Sequence, residues 1–340
     1  GLGDVYKRQT MKWGIMATGS IAQKFASTVN RMTDEGEILQ AVASRTKESA
    51  ENFARQHRIP EVFDSYKAMA ESDSVDVIYI ATPNNMHYEN VKMCLLAGKH
   101  VLCEKPFTTS VAQAQELYAL AEEKGLFLME GFWIRFLPVL QKMQELIKEG
   151  KLGEIRYIRS EYGFVAKGDR KVRKFNPQLG GGALLDIGIY NLGFLNMIMG
   201  KNPDSFTSDV HMTDVGTDDF SVIHLHYPQE NGQGAEAVVT TAIGLDIQRK
   251  ATVIGTKGSI YLDDFQKAET MTVSLSDGEE YEIEIPFEIN GFEYQIREAS
   301  NCIREGRTHS GIYTPQMSLQ TLSLIDDIRA GWNMKFPFEK

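Results

Sequence analysis

Two short stretches carry residue types whose spacing suits nucleotide chemistry. Ala17-Thr18-Gly19-Ser20-Ile21-Ala22 is a turn of small residues between a short apolar run and an amphipathic stretch. A turn of the form G-x-G-x-x-G/A binds dinucleotides because its second glycine lets backbone approach a pyrophosphate. The helix that follows offers N–H donors and the positive end of its dipole. Gly19 and Ala22 match that form, whereas Ala17 stands where the first glycine belongs and gives up its conformational freedom. The next apolar run ends in Ser44-Arg45. Enzymes that use NAD usually place an acidic residue there for the ribose 2′-hydroxyl. A hydroxyl followed by a guanidinium suits a 2′-phosphate instead, which favours NADP(H) and leaves NAD(H) open. Arg45 also reads as a plain surface residue opening the next helix.

A third pair lies in the second half. Asp186 and Tyr190 follow Gly180-Gly181-Gly182 and are four apart, so on a helix from about 183 to 199 they share one face. A tyrosine hydroxyl, with a reference pKa near 10, needs a neighbouring cation to serve as a base at neutral pH. His224 and His226 alternate on a strand pattern and share a face. With no third ligand of like character in the sequence, they read as structural or interface residues, and no metal is expected. Tyr190 has Phe194 four residues on, not the lysine of the short-chain dehydrogenase arrangement, and no glycine-rich loop ends in the Lys-Ser/Thr of a P-loop.

The elements that must position these residues fall into two patterns. In the first half, apolar runs at 12–17, 37–44, 75–81, 100–103 and 126–130 alternate with helical stretches at 21–32, 47–57, 88–97 and 111–124. Such alternation predicts a parallel sheet covered on both faces. From 153 onward, period-two runs at 153–164, 219–227, 235–243, 248–255, 259–262, 271–275 and 280–286 predict a different architecture. The expected fold class is α/β: an N-terminal doubly wound Rossmann sheet and a C-terminal α+β domain with a large, mostly antiparallel open sheet. The expected divisions are a non-native or disordered leader at 1–10, a dinucleotide-binding domain at 11–134 and a substrate and oligomerisation domain at 135–340.

Four motifs in this order are specific together: the Ala17–Ala22 turn, ATPNNMH ending at His87, HVLCEKPFTTS around Glu104-Lys105-Pro106, and GGGALLDIGIY ending at Tyr190. From about Lys12 to the C-terminus the chain resembles the Gfo/Idh/MocA oxidoreductases. Within them it looks most like the dimeric dihydrodiol dehydrogenases and NADP-linked D-xylose dehydrogenases, on GFWIRFLP, Tyr190 and the closing GFEYQIREASNCIREG. The resemblance implies that Lys105, beside Glu104, lies near the nicotinamide and its ribose, with a Lys105–Pro106 bond that is often cis. It implies that Thr82, Pro83, Asn84 and His87 line the dinucleotide crevice. It makes Tyr190 the general acid/base assisted by Lys105, with Asp186 orienting it or binding a substrate hydroxyl. Many relatives carry histidine where Tyr190 stands. Trp133, Arg135, Phe136 and Phe164 would wall the substrate pocket, although inter-domain packing explains the first three as well.

The resemblance also implies a homodimer or homotetramer through the C-terminal sheet. The implied activity is hydride transfer between the nicotinamide and a sugar, polyol, cyclic diol or related carbonyl. A tightly bound cofactor that cycles internally and a non-catalytic nucleotide sensor are the alternatives. Composition narrows the partners to small molecules. A formal net charge of -10 with no block of Lys or Arg argues against nucleic acid. No apolar run is seen to reach the roughly 20 residues of a membrane span. Cys94, Cys103 and Cys302 are scattered, so free thiols and a cytoplasmic setting are expected.

Overall fold

The structure, a computed structural model, describes residues 10–228 and 234–339; the leader expected at 1–10 lies outside them except for Thr10. The first half forms β1 (Met11–Met16), α1 (Ser20–Val29), β2 (Glu37–Ala43), α2 (Lys47–His57), β3 (Glu61–Phe63), α3 (Tyr66–Glu71) and β4 (Val77–Ile80). It continues through α4 (His87–Leu96), β5 (His100–Glu104), α5 (Val111–Lys124) and β6 (Leu128–Gly131). The six strands are parallel in the order β3-β2-β1-β4-β5-β6. Strands with helices on both sides must be apolar throughout, and every residue of β4 is accordingly buried. Phe25 of α1 stacks on Tyr79 of β4 with ring centroids 3.7 Å apart. Helix boundaries follow local chemistry. The Thr46 and Ser65 side chains accept from Ser49 N–H and Ala68 N–H at the starts of α2 and α3. Gly125 takes the left-handed conformation that ends α5.

The second architecture contains α6 (Pro138–Lys148), β7 (Ile155–Phe164), α7 (Asp169–Phe175), α8 (Ile189–Met199) and β8 (Ser205–Met212). Six further strands follow: β9 (Asp218–Tyr227), β10 (Ala235–Ile243), β11 (Ala251–Gly255), β12 (Gly258–Leu262), β13 (Thr270–Leu275) and β14 (Glu280–Glu284). The eight strands run β14-β13-β12-β11-β7-β10-β9-β8, antiparallel except where β7 meets β10. Period-two alternation sends Ile158, Ser160, Ile223, Leu225, Ala237, Val239 and Val253 to a buried face. Arg159, Glu161, Val222, His224, Val238, Thr240 and Thr252 occupy the other, which stays at least partly exposed. Helix α8 contacts β7 and β10. Asn191 anchors it by donating to Thr240 O at 3.2 Å and Thr241 Oγ1 at 3.1 Å.

By contacts, the described chain divides into two units, 10–133 with 288–319 and 134–287 with 320–339. Residues 288–319, expected in the second domain, therefore return to the first unit, bringing α9 (Glu293–Arg304). Buried Glu37 at the start of β2 accepts from Trp13 Nε1 (2.7 Å), Ser300 Oγ (2.7 Å) and Arg304 (2.8 Å). Ser300 and Arg304 thereby pin α9 to the sheet, and loss of Arg304 would leave a buried charge uncompensated. Helix α10 (Pro315–Gly331) closes the list and is shared by the two units.

One expectation needs correcting. The stretch Pro177–Met199 is, by length and composition, long and apolar enough to cross a membrane; 83% of its most apolar 18-residue window is buried inside the protein, as in a core helix. The three cysteines are free and buried.

Candidate active site

In the first unit the strand order reverses direction at β1 and β4, where doubly wound sheets bind ligands at the carboxyl ends of their strands. The loops leaving β2, β1, β4 and β5 hold Ser44-Arg45, Ala17–Ser20, Thr82–Asn84 and Lys105 respectively. Ala17 sits at φ +84, the left-handed region in which the missing first glycine would be unstrained. Gly19 has an extended conformation open to any residue (φ -73, ψ -178), and a methyl added to it would meet no atom within 4 Å. Its lack of a side chain therefore matters for close approach rather than for turning. No side chain caps α1, so its first-turn N–H groups, around Ser20 and Ile21, point to a surface suited to a phosphate. Thr18 Oγ1 lies 3.4 Å from Ser44 Oγ, which ties the turn to the end of β2, and Arg45 beside it is exposed. These features fit a dinucleotide: the start of α1 and Ser44-Arg45 are the groups that would hold its phosphates.

The β4 and β5 loops are cross-tied. Thr82 Oγ1 accepts from Asn90 Nδ2 at 3.0 Å. His87, expected to line the crevice, is 1% exposed and lies beneath the loops. Its Nε2 faces Thr82 O and its Nδ1 faces Pro106 O, each at 2.8 Å. Burial pushes the imidazole pKa down. The Lys105–Pro106 bond is cis. Glu104 is buried and accepts from the Tyr79 hydroxyl, and burial raises its pKa to about 7. Glu130, on β6, accepts from Phe107 N–H at 3.0 Å, Tyr313 OH at 2.8 Å and Ser318 Oγ at 2.5 Å. Glu130 and Asn85, whose buried Oδ1 meets no donor among the described residues, are absent from the sequence-derived set. Trp133 also belongs to this unit. Lys24 Nζ lies 4.0 Å from its ring centroid and 4.2 Å from that of Phe292.

The second unit gathers another group. The glycine run is demanded by crowding: Gly182 is at φ +119, and a Cβ there would stand 2.4 Å from Asp218 Oδ1. Asp218 is buried, and its Oδ2 accepts from Leu184 N–H at 2.7 Å. The expected single helix is not uniform. Leu184–Gly188 is a π-helical turn that carries Asp186, and Tyr190 lies in the first turn of α8. Lys174 of α7, unseen in the sequence reading, forms an ion pair with Asp186 and stands 5.7 Å from the Phe164 ring centroid. Tyr190 is 5% exposed, and its ring lies 5.8 Å from that of Tyr162. Phe164 and Tyr162 pack on a cluster of Ala166, Phe175, Ala183, Ile187 and Ile243. Arg135 and Phe136 are buried in the turn before α6, where Arg135 O accepts from Gln141 Nε2. This half thus offers an acid, a cation, a phenol and aromatic walls on β7, α7 and the α8 region. His224 and His226 instead both meet Glu236 on the partly exposed sheet face. Among the described residues no group of three or more His, Cys, Asp or Glu is disposed to hold a metal ion.

Comparison with known proteins gives these arrangements a context. Residues 11–132 match the Gfo/Idh/MocA model described as an oxidoreductase family with an NAD-binding Rossmann fold, and residues 140–261 match that family's C-terminal domain model. Human trans-1,2-dihydrobenzene-1,2-diol dehydrogenase is 32% identical over 97% of this chain and 99% of its own length. The Xenopus tropicalis enzyme of that name is 32% identical over 96% and 99%. Among solved structures, aldose-aldose oxidoreductase from Caulobacter crescentus superposes with a TM-score of 0.84 at 27% identity, covering 96% of this chain and 98% of that one. A 3-ketoreductase from Actinomadura kijaniata, solved with NADP, superposes with a TM-score of 0.84 at 26% identity over 95% and 98%.

Proposed function

The chain belongs to the Gfo/Idh/MocA oxidoreductase family, and from that premise we propose that it is an NADP-dependent dehydrogenase or reductase of sugars, polyols, cyclic diols or related carbonyls. One observation carries the cofactor half. The loops at the carboxyl ends of β2, β1, β4 and β5 present a 2′-phosphate-compatible Ser44-Arg45, an open glycine turn, an uncapped helix and Lys105 along one end of one sheet. A nicotinamide held there would supply or accept the hydride. Tyr190 takes a proton from the substrate hydroxyl in oxidation and returns it in reduction. Lys105 stabilises the phenolate or alkoxide and hydrogen-bonds the nicotinamide ribose. Asp186, held by Lys174, binds a substrate hydroxyl or fixes the surroundings of Tyr190. Phe164, Arg135, Phe136 and Trp133 contribute to walls suited to stacking on a ring and to hydrogen bonding hydroxyls. The 3-ketoreductase has been solved with a lysine and, separately, a tyrosine replaced, the two residue types assigned here. The chain is proposed to act as a homodimer or homotetramer joined through the partly exposed face of its eight-stranded sheet.

The test follows nicotinamide absorbance while the protein is incubated with NADP+, NADPH, NAD+ or NADH and a panel of aldoses, inositols, cyclic diols and dicarbonyls. Turnover preferring the phosphorylated cofactor, and lost in Lys105→Ala and Tyr190→Phe, is the expected result. Wild-type kcat in Tyr190→Phe sinks the acid/base assignment. Arg45→Ala should weaken NADPH binding about tenfold or more while leaving NADH binding nearly unchanged, as loss of a charge-assisted contact requires. Equal effects on both remove the basis for the NADP assignment. Internal cycling is a second reading, favoured by the likeness to an aldose-aldose oxidoreductase. It predicts that nucleotide stays bound through purification.

A further inference from the structure

The main chain that follows Lys105 is held by buried ionisable side chains from two different places in the first unit. Pro106 O faces His87 Nδ1 at 2.8 Å, and Phe107 N–H donates to Glu130 Oε1 at 3.0 Å. Both side chains are 1% exposed. Neither ends at the turn. The other nitrogen of His87 faces Thr82 O at 2.8 Å, so the ring sits between the β4 loop and the β5 loop, donating its one N–H to one of the two carbonyls and packing against the other. The other oxygen of Glu130 accepts from Tyr313 OH and Ser318 Oγ, which carries the turn onto the returning C-terminal segment.

Such placement is costly for a purely structural purpose. A neutral imidazole has one N–H, yet two carbonyl oxygens face this ring. A carboxylate removed from water must be repaid by its hydrogen bonds, and those of Glu130 converge on a single backbone N–H and two hydroxyls. Apolar residues of equal volume would leave the Phe107 N–H and the Tyr313 and Ser318 hydroxyls without this acceptor. What the polar pair supplies, and apolar residues do not, is a fixed orientation for one peptide plane, gripped at its C=O by His87 and at its N–H by Glu130. That plane joins the two residues immediately after Lys105.

We propose that His87 and Glu130 are positioning residues for Lys105, clamping the carbonyl of Pro106 and the N–H of Phe107 so that the lysine's backbone is fixed relative to the β4 loop and the 313–318 segment. The proposal rests on the reading that Lys105 acts at the nicotinamide. Both residues are buried, and each acts through the lysine. A displacement of about 1 Å at a reacting group is enough to cost on the order of a hundredfold in rate, so a loosened clamp has a measurable effect.

A double-mutant cycle read on NADPH itself, by fluorescence titration of the full chain, tests this. Glu130→Ala and His87→Phe should each weaken NADPH binding about three- to tenfold and lower kcat about tenfold or more, with substrate KM nearly unchanged. Glu130→Gln, which retains an acceptor for Phe107 N–H, should recover most of both. In a Lys105→Ala background the same substitutions should weaken NADPH binding less than about twofold further, because no lysine remains to be placed. Penalties that add in full to that of Lys105→Ala, or no penalty in the parent, overturn the proposal. If Lys105→Ala itself changes neither NADPH binding nor turnover, the functional reading fails instead. Should Glu130→Ala fail to fold, His87→Phe carries the same cycle.

Discussion

Glu104 shows how much of this site is set by placement rather than residue type. Its neighbours are the Tyr79 hydroxyl, Lys105 and Glu130, and burial raises its carboxyl to about 7. Burial raises Glu130 as well. Between the ordinary carboxylate range and pH 7 the folded protein therefore keeps a proton on Glu104 that the unfolded chain has lost. Stability must fall as pH rises through that window and level off above it. Melting temperatures between pH 5 and pH 8 should show the decline, and Glu104→Gln should flatten it and be the more stable protein at pH 8. A Glu104→Gln curve parallel to the parent's would mean that Glu104 does not titrate there. At this scale motifs singled out Gly19, Ser44-Arg45, Lys105, Asp186 and Tyr190 as candidates. The sequence concealed Glu130, Asp218 and Lys174, whose partners lie far along the chain or on another element, where neither spacing nor composition points. His87 was visible by motif, but its burial was not.

Among the elements, the strand after each glycine-marked turn was the most readable, because a buried parallel strand needs an uninterrupted apolar run. Helix α6 was missed although Pro138 at its first turn and buried Val139, Leu140, Met143 and Leu146 give a helical period. Strand β8 left little to read: it is an edge strand with no residue in the buried class. The π-turn at Leu184–Gly188 has no sequence signature of its own, since the packing of Gly182 against Asp218 lies beyond any local pattern. That contact makes a firm prediction. Gly182→Ala forces a left-handed backbone on alanine and drives its methyl into the Asp218 carboxylate. The expected loss is about 2–4 kcal/mol in denaturant unfolding, with turnover falling as the Asp186–Tyr190 segment shifts. A loss below about 0.5 kcal/mol would mean that the turn relaxes freely.

For the molecule as a whole, the partly exposed sheet face is the feature that composition alone could not show. Val222, Val238, Thr240 and Thr252 lie on it among Arg159, Glu161, His224 and Glu236, a mixture of apolar and charged groups that suits a self-complementary surface. Light scattering should report at least twice the chain mass, and Val238→Asp, at the centre of that face, should reduce it to one chain while the thermal melt stays cooperative. A parent protein that is monomeric at micromolar concentration, or an unaltered oligomer in Val238→Asp, rules this face out. The two-architecture plan was legible from the change in period after residue 150. The later crossings were not: 288–319 return to the first unit before 320–339 rejoin the second.

That return has a consequence for synthesis. The first unit is completed by Ser300, Arg304, Tyr313 and Ser318, which supply partners to Glu37 and Glu130 on its strands. A ribosome making this chain releases all six parallel strands long before those partners exist, and must translate past residue 318 before the first unit has all of them. Until then Glu37 has only the Trp13 indole N–H and Glu130 only the Phe107 N–H of the donors described above. A gene fragment ending near residue 133 encodes every motif that names the cofactor, and lacks the last pieces of the unit meant to hold it.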